Sequence, residues 1–134
     1  MSNKVAGIVL AAGGSSRFGA PKQLLPWRNT TVLNSVVCTA LETGLAPVVV
    51  VLGANADQIE PGLPEGCVVV KNVFWSEGQS TSMKAGLAQL PEDIEGMLIL
   101  LGDQPQINPL FCESILRKGL ETGKITIPYV NDRR

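Results

Sequence analysis

The chain has 134 residues, 45% hydrophobic and 17% charged, with a net charge of −1 from 11 Lys and Arg against 12 Asp and Glu. That is the length and balance of one globular domain. It argues against a disordered chain, an extended solenoid and a general pull towards nucleic acid or an anionic membrane. Histidine is absent, which removes Ser-His-Asp and Cys-His hydrolysis, a His-ligated zinc site and imidazole acid–base pairs.

Fourteen Gly and nine Pro fall largely between apolar runs, a pattern of many short connections rather than a helical bundle. Residues 5–10 (Val-Ala-Gly-Ile-Val-Leu) form a continuous apolar run, the mark of a strand buried on both faces. Thr30 or Thr31 can cap a helix whose apolar positions Val32, Leu33, Val36, Val37, Ala40 and Leu41 keep a 3.6 period, with Gly44 at its stop. Residues 48–52 are a second buried strand, followed by a polar turn of helix over residues 55–60. Pro61-Gly62 and Pro64 break the chain before a third strand at 67–71. Ser80 or Thr81 can cap a helix through Met83, Leu87 and Leu90. Residues 97–101 read as a fourth buried strand, and Asn108-Pro109 opens a helix through Ile115, Leu116 and Leu120 that Gly123 stops. Residues 125–129 are a last strand candidate. Alternating strands and helices, with strands apolar on both faces, predict a single α/β domain over residues 1–134: a mostly parallel sheet wrapped by helices in right-handed βαβ units.

Cys38, Cys67 and Cys112 are far apart, in apolar surroundings and without a CxxC pair; they read as reduced core thiols of a cytoplasmic protein. Residues 1–4 enter a run too short for a signal sequence, and no apolar stretch approaches the roughly 20 residues that span a bilayer. No nucleic-acid or membrane partner is expected.

In open α/β sheets ligands bind beyond the carboxyl ends of the strands, so the segment after the first strand is the first place to look for a site. It reads Leu10-Ala11-Ala12-Gly13-Gly14-Ser15-Ser16-Arg17-Phe18-Gly19-Ala20-Pro21-Lys22-Gln23-Leu24-Leu25-Pro26. Its glycines and serines let backbone N–H groups turn inward as an anion-binding nest, and Arg17 and Lys22 add positive charge. A polyphosphate suits that set; a flexible glycine loop with two solvated cations is the plainer alternative. Gly13, Gly14 and Gly19 lack the GxGxxG spacing, and the Gly14-to-Gly19 gap continues Ala20-Pro21-Lys22, unlike a Walker loop.

Asp103 follows the fourth strand in Gly102-Asp103-Gln104-Pro105, at the same edge of the sheet as the glycine loop. A lone carboxylate facing a polyphosphate suits Mg²⁺, with phosphate oxygens and water completing the shell; a turn or capping Asp is the alternative. In residues 72–84, Gly78 with Ser80 and Ser82 forms a donor-rich stretch for a ribose or base edge, or else plain helix caps. Phe74 and Trp75 read as core or lid packing and Lys84 as solvated. Gly53-Ala54-Asn55 lies on the same rim and is a further candidate for lining the pocket.

Leu10-Ala11-Ala12-Gly13, Ser16-Arg17-Phe18-Gly19 and Pro21-Lys22-Gln23-Leu24-Leu25 together resemble the signature of the MobA-like nucleotidyltransferases. The segment Glu77-Gly78-Gln79-Ser80-Thr81-Ser82-Met83-Lys84-Ala85-Gly86-Leu87 and Gly102-Asp103-Gln104-Pro105 follow in the family's order. The resemblance implies a three-layer α/β/α, Rossmann-like fold of the nucleotide-diphospho-sugar transferase type. It implies that Gly13, Gly14, Ser15, Ser16 and Arg17 hold a triphosphate and that Lys22 neutralises charge on it and on departing pyrophosphate. Leu10, Ala11 and Ala12 would approach the base, and Asp103 would ligate Mg²⁺. Ala12, and Pro21 before Lys22, resemble the cytidylyl branch of the family, that of molybdenum cofactor cytidylyltransferase. The implied reaction is attack by the terminal phosphate of molybdopterin on the α-phosphorus of CTP, with release of pyrophosphate. That nucleophile is already anionic, so no histidine base is needed, and catalysis is positioning plus charge neutralisation. Guanylyl or sugar-phosphate nucleotidyl transfer on the same fold, a non-catalytic cofactor-binding chaperone for a molybdenum hydroxylase, and a structural module with no nucleotide site are the competing expectations. Family members continue beyond the position of Arg134 with acceptor-side and further metal-site residues, so the chain is expected to be the nucleotide-binding portion of a longer enzyme, lacking its C-terminal part.

Overall fold

The computed structural model describes residues 4–14, 16–17 and 20–122; the expected stop at Gly123 and the strand expected over residues 125–129 lie outside the described residues. β1 (Val5–Ala11) is buried along its whole length, as an apolar run with helices on both sides requires. Two small antiparallel ladders follow, β2 (Ser16–Arg17) with β3 (Ala20–Pro21) and β4 (Pro26–Trp27) with β5 (Thr30–Thr31). Each strand is two residues long, too short to leave a periodicity in the sequence.

α1 (Val32–Glu42) starts where the Thr31 hydroxyl accepts a hydrogen bond from Asn34 N at 3.2 Å. Its apolar stripe, Leu33, Val36, Val37 and Ala40, is buried. β6 (Val48–Leu52) is buried throughout. The short α2 (Ala56–Ile59) runs into a 3₁₀ turn, Glu60–Gly62, and the chain returns in β7 (Cys67–Lys71).

α3 (Gln79–Leu87) differs from expectation at its start. Gly78 occupies the cap position with φ 122° and no side chain caps the helix. Ser80 and Thr81, the expected caps, both lie inside the helix, and the Thr81 hydroxyl is engaged by the Asn72 amide and by backbone carbonyls. β8 (Gly96–Leu101) and α4 (Pro109–Thr122) complete the described elements; Asn108 Oδ1 caps α4 by accepting from Phe111 N at 2.8 Å.

The four long strands form one parallel sheet in the order β7-β6-β1-β8, with Val9 opposite Val50 and Leu100, and Val50 opposite Val69. Alternate residues serve two cores, as the strand pleat dictates. Val9, Ala11, Val50, Leu52, Leu98 and Leu100 pack with α1, α2 and with Cys112 and Leu116 of α4. Ile8, Leu10, Val49 and Val51 pack with Met83 and Ala85 of α3 and with Leu90 beyond its end. The result is the three-layer α/β/α arrangement with a mostly parallel sheet. Each fully buried Val, Leu or Ile contributes roughly 1.5–3 kcal/mol, so the rim is carried by a stiff central pair, β1 and β6.

Two expectations need correction. β8 is not buried on both faces: Leu98 and Leu100 are buried, but Met97 and Leu101 are exposed, because β8 is an edge strand among the described residues. Nor are all three cysteines core residues. Cys112 is buried, Cys38 is exposed and Cys67 half-buried. Cys38 lies off the apolar stripe of α1, and Cys67 begins the other edge strand. No helix of the described residues is long and apolar enough to cross a membrane.

Candidate functional site

Hydrogen bonds between neighbouring strand ends gather four loops onto one rim. Gly102 N donates to Leu10 O at 2.8 Å, Ala54 N to Ala12 O at 3.3 Å, and Asn72 N to Leu52 O at 2.7 Å. The segments after β1, β6, β7 and β8 are thereby neighbours, and Gly13 and Gly14 stand exposed on that rim. Leu10, Ala11 and Ala12 are buried, so the stem of the loop belongs to the core while its tip meets solvent.

Lys22 and Asp103, expected to share a site, do meet. Lys22 Nζ lies 3.7 Å from Asp103 Oδ2, with side chains 43% and 50% exposed. The ammonium opens the 3₁₀ turn Lys22–Leu24, and the carboxylate follows Gly102 off the end of β8. Both point into solvent at the rim, where an incoming anion and a cation can reach them.

Ser16 and Arg17 are described through their backbone alone, paired with Pro21 and Ala20 across β2 and β3. That pairing folds the loop back, so Lys22 follows directly on the return strand. Ser15, Phe18 and Gly19 lie outside the described residues.

Gly78, Ser80 and Ser82 do not converge on one point. Ser80 is exposed, whereas Ser82 is 2% exposed and its Oγ accepts from Asn72 Nδ2 at 2.9 Å. Asn72, buried at the end of β7, also donates to Thr81 Oγ1 at 2.9 Å and accepts from Phe74 N at 2.9 Å. This amide ties the segment between β7 and α3 to the helix, and so sets where Trp75 lies. Trp75 packs against the glycine loop: a Cβ on Gly14 would stand 2.7 Å from its ring, and a Cβ on Gly53 would stand 2.7 Å from both Trp75 Cβ and Ala12 O. Only glycine permits those approaches. Beside this contact an open pocket of about 450 Å³ is lined by Gly53, Ala54, Asn55, Asn72 and Trp75 among others, so the Gly53–Asn55 stretch does line a cavity on the rim. Lys84 is exposed.

Two residues without a role in the sequence reading organise the site. Asn72 is one. Gln23 is the other: it is 6% exposed, and its Nε2 donates to Ala11 O at 2.8 Å and Gly13 O at 3.3 Å. Nothing in the local sequence marks Gln23, because its partners are carbonyls ten and twelve residues away that folding brings close.

Among the described residues no group of three His, Cys, Asp or Glu side chains is placed to hold a metal ion. Asp103 is a hard oxygen donor at an accessible edge, which fits a divalent cation whose other ligands are phosphate oxygens and water.

The sequence pattern of the MobA-like NTP transferase domain matches residues 7–134. The chain is 39% identical over 106 residues to nicotine blue oxidoreductase of Paenarthrobacter nicotinovorans, covering 78% of this chain and 52% of that protein. It is 30% identical over 131 residues to a probable molybdenum cofactor guanylyltransferase of Bacillus cytotoxicus, covering 97% and 64%. Among solved structures, Rv0371c from Mycobacterium tuberculosis superposes with a TM-score of 0.79 at 36% identity, over 89% of this chain and 61% of that one. The same protein in complex with manganese gives a TM-score of 0.71 at 33% identity, over 87% and 60%. The chain thus spans between about half and two thirds of the length of these relatives.

Proposed function

The chain belongs to the MobA-like NTP transferase family, and from that premise we propose that it is a Mg²⁺-dependent cytidylyltransferase acting on the terminal phosphate of molybdopterin. The observation that carries this reading is the meeting of Lys22 and Asp103 beside the glycine loop. A cation and a carboxylate side by side on a donor-rich rim suit a ligand that brings both negative charge and a metal ion.

Residues 13–16 and Arg17 cradle the triphosphate with backbone N–H groups and guanidinium donors. Lys22 neutralises charge that builds on the leaving pyrophosphate as the acceptor phosphate attacks the α-phosphorus in line. Such preorganised donors act where charge develops, and each is typically worth about 10²–10³ in rate. Asp103 holds the divalent cation, which when bound supplies further charge stabilisation on the phosphoryl oxygens. Leu10, Ala11 and Ala12 form the floor for the base, and the exposed Gly78 and Ser80 face it from the start of α3, while Ser82, held by Asn72, supports that segment from within.

Ala12 and Pro21 favour CTP over GTP. A relative's name speaks of guanylyl transfer and another's of an oxidoreductase; the loop has no GxGxxG spacing for a dinucleotide, so nucleotidyl transfer is the better fit. A molybdenum hydroxylase apoenzyme would receive the product, in the cytoplasm.

The test follows pyrophosphate release with radiolabelled CTP or GTP, molybdopterin and Mg²⁺. CMP incorporation is expected. Incorporation from GTP alone moves the chain to the guanylyl branch, and binding without pyrophosphate release leaves a cofactor-binding chaperone. No heat from CTP and Mg²⁺ in calorimetry would sink the whole reading.

A further inference from the structure

We infer that Gln23 is a positioning residue, which holds the nucleotide loop in its binding shape before any nucleotide arrives. Both protons of its Nε2 are used on the loop stem, one on Ala11 O at 2.8 Å and the other on Gly13 O at 3.3 Å. These carbonyls flank Ala12, and the second belongs to the first residue of the exposed glycine tip. The bond pair therefore fixes the two peptide planes from which the tip departs.

The other end of the same amide lacks any such partner. Gln23 Oε1 is buried and has no hydrogen-bond partner, alone in this among the buried side-chain atoms of the described residues. A buried acceptor left unpaired is destabilising, and native structures contain few. Turning the amide over does not repair it, because Oε1 would then face two carbonyl oxygens at the distances now spanned by donors. The orientation is thus set by the loop, at the expense of Oε1.

Gln23 also shares the 3₁₀ turn with Lys22. One turn sends Lys22 outward to within 3.7 Å of Asp103 and Gln23 inward to the loop stem. Anchoring Gln23 therefore fixes the loop and the ammonium together, and gains what preorganisation gains in general: ordering that need not occur on binding.

This inference rests on the nucleotide-binding reading, so its test pairs nucleotide affinity with a readout that needs no nucleotide. Gln23→Met keeps size and removes every polar atom; Gln23→Glu keeps shape and, ionised at pH 8, accepts only. In calorimetry with CTP and Mg²⁺, both variants should bind at least tenfold more weakly than the unmodified chain. Amide hydrogen exchange at residues 12–14 should be faster in both without nucleotide, while the melting midpoint of Gln23→Met stays within a few degrees. Unmodified affinity and exchange in Gln23→Met would overturn the inference, and that variant decides alone if Gln23→Glu does not fold. If the unmodified chain takes up no CTP, the proposed function fails, and exchange at residues 12–14 still decides the role of Gln23.

Discussion

The Lys22 ammonium stands 3.7 Å from the Asp103 carboxylate, joining the return of the glycine loop to the carboxyl end of the outermost described strand on that side. Both side chains are about half exposed, so water screens the pair, and such pairs are worth at most about 1 kcal/mol to stability. Its value lies in what each partner meets when substrate arrives. Lys22→Ala and Asp103→Asn should therefore leave the melting midpoint within about 3 °C of the unmodified protein. Lys22→Ala should lower turnover by about 10²-fold or more, and Asp103→Asn should shift the Mg²⁺ titration to higher concentration. Unmodified rates and an unmoved metal titration would remove both residues from the site.

Gly53 sits where three elements touch. A Cβ there would stand 2.7 Å from Ala12 O and from Trp75 Cβ, and 2.8 Å from Ala12 Cβ. Two of these belong to the stem of the nucleotide loop, which has little room to shift. Gly53→Ala should destabilise by about 1–3 kcal/mol, in the range of core overpacking, and should weaken nucleotide binding by displacing Ala12. Gly62→Ala is the matched control, since nothing lies within 4 Å of a Cβ at that position. Urea denaturation of the two variants checks the difference; equal midpoints would show that the loop stem yields freely.

The architecture was legible wherever one period dominated. The all-apolar residues 48–52 can only be an interior strand, and Asn108-Pro109 carries its own cap chemistry, so both elements appear as expected. The rim positions of the glycine loop and of Asp103 were legible because both follow strand ends directly. What pattern alone does not carry is tertiary. The two-residue ladders leave no periodicity, and an apolar run does not tell an edge strand from a central one, which is why β8 differs. Gln23 and Asn72 act through hydrogen bonds to carbonyls and hydroxyls brought close by folding, and no spacing rule announces those partners. Ser82 shows the converse: its place in a donor-rich stretch suggested the ligand, while its hydroxyl is taken up by Asn72.

The cysteines separate by environment, and their chemistry should follow. Burial pushes the Cys112 thiol above its ordinary value, and burial likewise raises Cys67, partly opposed by a backbone hydrogen bond. A raised thiol holds less thiolate at a given pH, and the thiolate is the reactive form. With a thiol-exchange reagent at pH 8, Cys38 should react first, Cys67 more slowly, and Cys112 only on unfolding. The Cys67 rate should keep climbing with pH beyond the point where an ordinary thiol levels off. Single Cys→Ser variants assign the phases, and a fast phase from Cys112 would mean that α4 opens readily from the sheet.

Asn72 is the buried polar hinge between β7 and α3. Its amide donates to Thr81 Oγ1 and Ser82 Oγ at 2.9 Å each, and its oxygen accepts from Phe74 N at 2.9 Å. Asn72→Ala removes all three bonds and leaves the Phe74 N–H without that acceptor, so it should cost about 2–3 kcal/mol. Ser82→Ala removes one bond and should cost about 1 kcal/mol. Because Asn72 sets the segment that carries Trp75 onto Gly14, its loss should also change the Trp75 emission in a Trp27→Phe background, while Ser82→Ala leaves the emission in place. Urea denaturation of both single variants and the double variant measures the coupling. Equal costs with strictly additive effects would mean that Asn72 fills space there rather than holding the segment, and the position of Trp75 would then have to come from its own packing against Gly14 and Gly53.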